Sequence, residues 1–197
     1  MEFVFKKIGF YFKEFIYRNV SARRVFWVMV LTYLVYGVIL LIVIPELMAF
    51  TGGQPIFNIL PFGYSDGYVN EILLKMGEEG RKAYMYHLVP IDIFFPFLFA
   101  YGNSILVGYL LNRLQALNGR FIYLCLIPVF ASWFDYLENL GVMTMLIKYP
   151  DVTDPLIQFC NFFSVAKSLL VTLNFVMLLV ILFLIWKRKK LLYDRRD

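Results

Sequence analysis

Charge is scarce in this chain. Of its 197 residues only 17% are Asp, Glu, Lys or Arg, against roughly 25% in soluble domains. That shortage, set beside 61% hydrophobic residues and a mean hydropathy of +0.70, excludes a soluble globular protein and a disordered chain. Cysteine is scarcer still. Cys125 and Cys160 are the only two, too few for a disulfide scaffold and not spaced as a redox C-x-x-C or a metal pair. The single histidine, His87, excludes haem ligation by two histidines of one chain and reads as a structural residue. No Gly-rich phosphate loop, H-E-x-x-H or G-x-S-x-G occurs, so neither a cofactor nor a metal site is expected. No nucleic-acid-binding motif is present, and no internal repeat marks an inverted-repeat transporter.

What the chain has instead is long apolar runs. About 20 apolar residues cross a bilayer as a helix. Segments 25–45, 84–111, 121–147 and 157–186 meet that length. The expected fold is an all-α integral membrane four-helix bundle in one domain over 1–197. The longer runs exceed about 30 Å of hydrocarbon, so tilt or protrusion is expected.

Basic residues near the span ends set orientation. The N-terminal segment carries Lys6, Lys7, Lys13, Arg18, Arg23 and Arg24, the link between the second and third spans carries Arg113 and Arg120, and the tail carries Lys187, Arg188, Lys189, Lys190, Arg195 and Arg196. That is 14 on one side, against Lys75, Arg81, Lys82 and Lys148 on the other. The excess predicts a multi-pass cell-membrane protein with both termini in the cytoplasm. Four spans require the termini to share a side, so the two inferences agree. The net charge of +5 is thereby explained by the bilayer as partner, with no nucleic acid.

Residues 1–23 read as an interfacial amphipathic helix. Val4, Phe5, Ile8, Tyr11, Phe12, Phe15 and Ile16 fall on one face, and Lys6, Lys7, Lys13, Glu14 and Arg18 on the other. The outer loop, 46–83, begins with turn sequences and continues with Tyr68, Val69, Ile72, Leu73 and Met76 at helical spacing. A short outer surface helix is predicted near 68–79, ending at Gly80, over the bundle mouth or on lipid.

Ionisable residues inside spans are costly and mark candidate sites. Four stand out: Asp92 in the second span, Asp135 and Glu138 in the third, and Lys167 in the fourth. At a rise of about 1.5 Å per residue, all four lie within roughly 10 Å of one another in depth. Ser132, Asp135, Glu138 and Asn139 share one helical face, as do Asn161, Ser164, Lys167, Ser168 and Asn174. Asp92, Pro96, Ala100, Ser104 and Gly108 recur every four residues, with Asn103 beside them, and Ala100, Ser104 and Gly108 form a small-residue stripe that admits a close neighbour. Pro96 should free a backbone carbonyl beside the cluster. The expected site is one outward-opening polar pocket of Asp92, Asn103, Asp135, Glu138, Asn139, Ser164 and Lys167. Three acids against one lysine leave a formal charge of −2, which a proton, a cation or a cationic ligand would offset.

The stretch Gly77-Glu78-Glu79-Gly80-Arg81-x-x-Tyr84, followed by Asp92-x-x-x-Pro96 and Asp135-x-x-Glu138-Asn139, resembles a pattern in small four-span prokaryotic membrane proteins that carry no assigned function. The resemblance covers roughly residues 60 to 145 and implies a four-helix membrane bundle, with no reaction or ligand attached. The preferred function is therefore taken from the cluster: binding, and transforming or moving, a small or lipid-like molecule. One rival is an accessory subunit, bound to a partner membrane subunit, in which the ion pairs only fix helix packing. Another is proton or cation permeation, which with four spans requires a homo-oligomer.

Overall fold

The computed structural model describes residues 2–117 and 119–193, with side chains for all of these except 2–6, 8 and 191–193. The side chains of Val4, Phe5, Lys6 and Ile8, and the whole of Arg195 and Arg196, invoked above for the amphipathic face and for orientation, lie outside the described residues. Among the described residues the chain is all-helical, with no strand.

The helices are α1 (Glu2–Asn19), α2 (Ala22–Phe50), α3 (Asp66–Ala83), α4 (Val89–Arg113), α5 (Ile127–Lys148) and α6 (Asp154–Tyr193). Four stretches are long and apolar enough to cross a membrane: Ala22–Phe50, Asp66–Arg113, Arg120–Lys148 and Asp154–Lys190. At about 1.5 Å per residue α6 is roughly 60 Å long. Near its C-terminal end Arg188 donates to the carbonyl of Leu114 at 2.8 Å and to Gln115 Oε1 at 2.6 Å.

Prolines set the departures from regular helix. A wide π turn at Ile39–Val43 precedes Pro45, another at Tyr84–Leu88 precedes Pro90, and a tight 3-10 stretch at Arg120–Leu126 precedes Pro128. Proline has no N–H for the carbonyl four residues back, so the preceding turn re-registers to a looser or tighter form. Pro96 sits inside α4, and its orphaned carbonyl matters to the site below.

The helices pack in the order α2, α4, α5, α6, with α2 and α6 making no extended contact among the described residues. Two apolar cores result. One lies at the end carrying the 51–65 loop and includes Leu47, Phe57, Ile72, Leu73, Tyr84, Met145 and Ile157. The other lies at the opposite end, beside α1, and includes Ile16, Val107, Leu111, Ile122, Cys125 and Ile181. Cys125 and Cys160 belong to different cores and are both free. The middle of the bundle, between the cores, is where the polar residues meet.

The stripe Val69, Ile72, Leu73 and Met76 of α3 is buried in the loop-end core, so α3 covers the bundle. Each fully buried aliphatic side chain there contributes roughly 1.5–3 kcal/mol. Ser65 caps α3 by accepting from the Tyr68 amide at 3.3 Å. One expectation is corrected here. The helix breaks at Gly77 (φ 61, ψ −173), and Gly80 lies within helical structure. A Cβ on Gly80 would sit 2.8 Å from Phe50 Cβ, so this glycine serves close approach of α3 to α2. Past the break, Arg81 donates to the carbonyl of Leu73 at 2.8 Å and stacks on Tyr149 at 4.1 Å, satisfying a carbonyl that the interrupted ladder leaves open.

The small-residue stripe of α4 also has an occupant. A Cβ on Gly108 would meet Ile16 Cγ2 at 2.7 Å and Val20 Cγ1 at 3.0 Å. The end of α1 therefore docks on α4, burying Ile16 completely, while Phe10, Tyr11 and Phe15 stay exposed.

Candidate functional site

The centre of the site is Lys167 on α6. Its ammonium lies 3.2 Å from Asp135 Oδ1 and also pairs with Glu138 Oε2, both on α5. Asp135 and Glu138 are one helical turn apart, so a single side chain from the facing helix reaches both. Glu138 is fully buried, and the Lys167 side chain is 13% exposed. Ser164, buried one turn before Lys167, lies beside Glu138.

Asp92 on α4 is buried a short distance away and is held differently. Asn58, in the 3-10 turn Phe57–Ile59 of the loop, donates to Asp92 Oδ2 at 2.9 Å and shares that amide with Asn139 Oδ1 at 3.1 Å. The Tyr84 hydroxyl donates to Asn58 Oδ1. Asn139 in turn donates to the backbone carbonyl of Asp92 at 3.4 Å. That carbonyl is the one Pro96 cannot satisfy, so the side chain from α5 supplies the missing donor. The Tyr136 hydroxyl donates to the next carbonyl, Ile93, at 2.8 Å. Among the described residues no ammonium or guanidinium lies within ion-pair distance of Asp92.

A cavity of about 310 Å³ reaches this cluster. Asp92, Asp135, Lys167, Ser132 and Asn58 form its polar part, and Tyr36, Ile39, Phe95, Phe99, Val171 and Phe175 supply much of the apolar wall. Loop residues Asn58, Ile59 and Pro61 line it from the loop end. Between α2 and α6, which do not pack along one another, the cavity is bordered by Tyr33, Tyr36, Thr172 and Phe175. All four are at least partly exposed.

Of the residues expected in one pocket, Asp92, Asp135 and Lys167 line the cavity. Glu138, Asn139 and Ser164 stand behind that lining and hold it through the bonds above. Asn103 does not join them. It donates to the Phe99 carbonyl at 3.1 Å and accepts from Asn174 at 3.0 Å, because its place on α4 is roughly 16 Å along the axis from Asp92. Sequence reasoning missed Asn58 and Tyr84. The one signal for Asn58 was a lone amide within the apolar run Pro55-Ile56-Phe57-Asn58-Ile59-Leu60.

The loop that delivers Asn58 is itself anchored. Thr51 Oγ1 donates to the Gln54 carbonyl at 2.6 Å, Tyr68 OH to the Pro55 carbonyl at 2.6 Å, and the Tyr64 amide to Asn161 Oδ1 at 2.9 Å. Gly63 has φ +81, and a Cβ there would collide with Asn161. Phe57 and Tyr64 pack with ring centroids 5.2 Å apart. Burial, followed by the nearby Cys160 and Glu138, holds the Tyr64 hydroxyl well above the ordinary tyrosine range. No family model, curated protein or solved structure matches this chain.

Proposed function

We propose that this chain is a multi-pass membrane protein whose central cavity binds, and transforms or moves, a small or lipid-like molecule. The observation that carries the reading is the cavity of about 310 Å³ reaching Asp92, Asp135 and Lys167, with mostly apolar walls around a few convergent polar groups. That is the form of a small-molecule site, and the volume lies at the lower end of the usual range of about 300–1,000 Å³. Four long apolar helices support bilayer insertion. The 14 basic residues on the side of the termini support cytoplasmic termini in the cell membrane. Exposed Phe10, Tyr11 and Phe15 on α1, beside basic residues, support an interfacial position for that helix.

The test is retention of a ligand by the purified full chain. Native mass spectrometry from nanodiscs should show a bound amphiphile in the wild type. It should be lost in Ser168→Phe, which fills the cavity from α6, at a similar unfolding midpoint. Equal retention by both proteins would end the reading.

A second reading has its own observation. Glu138 is fully buried, is absent from the cavity lining and is paired with Lys167, as in an ion-paired core that fixes α5 against α6. This accessory-subunit reading predicts that Ser168→Phe changes nothing except stability, and that the chain co-purifies with a partner membrane subunit.

A further inference from the structure

We infer that the cavity takes a hydrophobic amine, a single protonated nitrogen on an apolar body, which reaches it from the bilayer between α2 and α6 and sets its ammonium against Asp92. The inference rests on the binding reading above and names the ligand class for that site.

Charge is the first argument. Asp92, Asp135 and Glu138 share one lysine, and Lys167 is already engaged by Asp135 and Glu138. Counting one of the three carboxyls as protonated still leaves one negative charge uncompensated. An unpaired charge buried here costs several kcal/mol unless a second carboxyl takes up a proton or a cation arrives, and a ligand ammonium supplies that cation. Among the described residues Asp92 is the one of the three acids with no cation within ion-pair distance, and it lines the cavity. At the cavity's loop end its Oδ2 accepts from the neutral amide of Asn58 at 2.9 Å. A carboxylate or phosphate headgroup placed here would face Asp92 and Asp135 together, with the one nearby ammonium already taken.

The walls are the second argument. Tyr33, Tyr36, Phe95, Phe99 and Phe175 border the space. Aromatic faces attract a desolvated cation and an apolar body equally well. A hydrated metal ion gains little from such walls.

The route is the third argument. The loop residues Asn58, Ile59 and Pro61 close around the cavity's loop end, Asn58 through bonds with Tyr84, Asn139 and Asp92. Among the described residues the α2–α6 side has no comparable latch. Tyr33, Tyr36 and Phe175 are 49%, 41% and 39% exposed there, facing the direction from which a bilayer-dissolved molecule arrives.

The experiment uses the full chain in nanodiscs and a matched series of diazirine-bearing C12 probes: a tertiary amine, the corresponding primary alcohol and the corresponding carboxylate. Cross-linked peptides are mapped by mass spectrometry. The amine should label residues 33–39 and 167–175, be displaced by unlabelled N,N-dimethyldodecylamine, and exceed the alcohol and carboxylate by at least about tenfold. Asp92→Asn should bring amine labelling down to the alcohol's level. Replacing Thr172 with Trp at the α2–α6 border should reduce labelling by every probe. Should Asp92→Asn fail to fold, the probe series on the wild type decides by itself. Equal labelling by the alcohol and the amine, or preference for the carboxylate, overturns the amine assignment and leaves a binding cavity. Labelling of the 33–39 and 167–175 segments by none of the probes overturns both the assignment and the binding reading beneath it.

Discussion

The side-chain amide of Asn58 donates to Oδ2 of Asp92 at 2.9 Å, joining a loop residue to a helical acid 34 positions later. The same amide reaches Asn139 at 3.1 Å, and its carbonyl accepts from Tyr84. One loop side chain thus ties together three other residues and closes the loop end of the cavity.

Replacing Asn58 with Ala should therefore destabilise the protein by roughly 1–3 kcal/mol, since Asp92, Asn139 and Tyr84 each lose a buried partner. Amide exchange should accelerate over residues 54–64 and stay slow at the α5–α6 contact. Uniform acceleration along the chain would show that Asn58 supports the whole bundle and is not a local latch.

Lys167→Met should be much more damaging, about 3–5 kcal/mol, because it leaves two buried acids without their cation. Adding Glu138→Gln to that background should cost little more, or recover part of the loss. Unfolding of the four proteins of this cycle in micelles gives the coupling directly. Strictly additive costs would mean that the Lys167–Glu138 pair contributes nothing as a pair.

Gly77 and Gly80 should both resist Ala, for different reasons. At Gly77 the backbone conformation (φ 61, ψ −173) has open space around it and costs a side-chain-bearing residue roughly 1–3 kcal/mol. At Gly80 a methyl would press on Phe50, an overpacking cost of about 1–3 kcal/mol. Phe50→Ala should rescue Gly80→Ala and leave Gly77→Ala unrescued, measured as recovery of the unfolding midpoint.

Orientation can be read chemically. A cysteine introduced at Glu71, in a background lacking Cys125 and Cys160, should react with an impermeant maleimide in intact cells, and a reporter fused after Asp197 should be active only in its cytoplasmic form. Protection at position 71 with a labelled tail would reverse the topology inferred from basic residues.

Much of this architecture was legible before any coordinates. Hydropathy located the four long helices because each needs about 20 apolar residues whatever it packs against. Asp135, Glu138 and Lys167 could be matched because depth follows from counting residues along regular helices. Asn103 shows where counting fails: it adjoins the same stripe as Asp92 but sits several turns away, against Asn174.

What the residue order alone determined is the set of long helices and the position of each polar group along them, because both depend on local, periodic quantities. Tertiary structure decided the rest. Asn58 enters the site through a loop whose path depends on contacts with Asn161, Tyr68 and Tyr84, and a loop has no period to extrapolate. Gly80 serves close packing because Phe50 of another helix fills the space beside it, while the break falls at Gly77. Asn139 found its role because Pro96, on a different helix, left the Asp92 carbonyl without a donor. Each of these outcomes was chosen by a neighbour distant in sequence, through close packing and the cost of leaving a buried polar group unpaired.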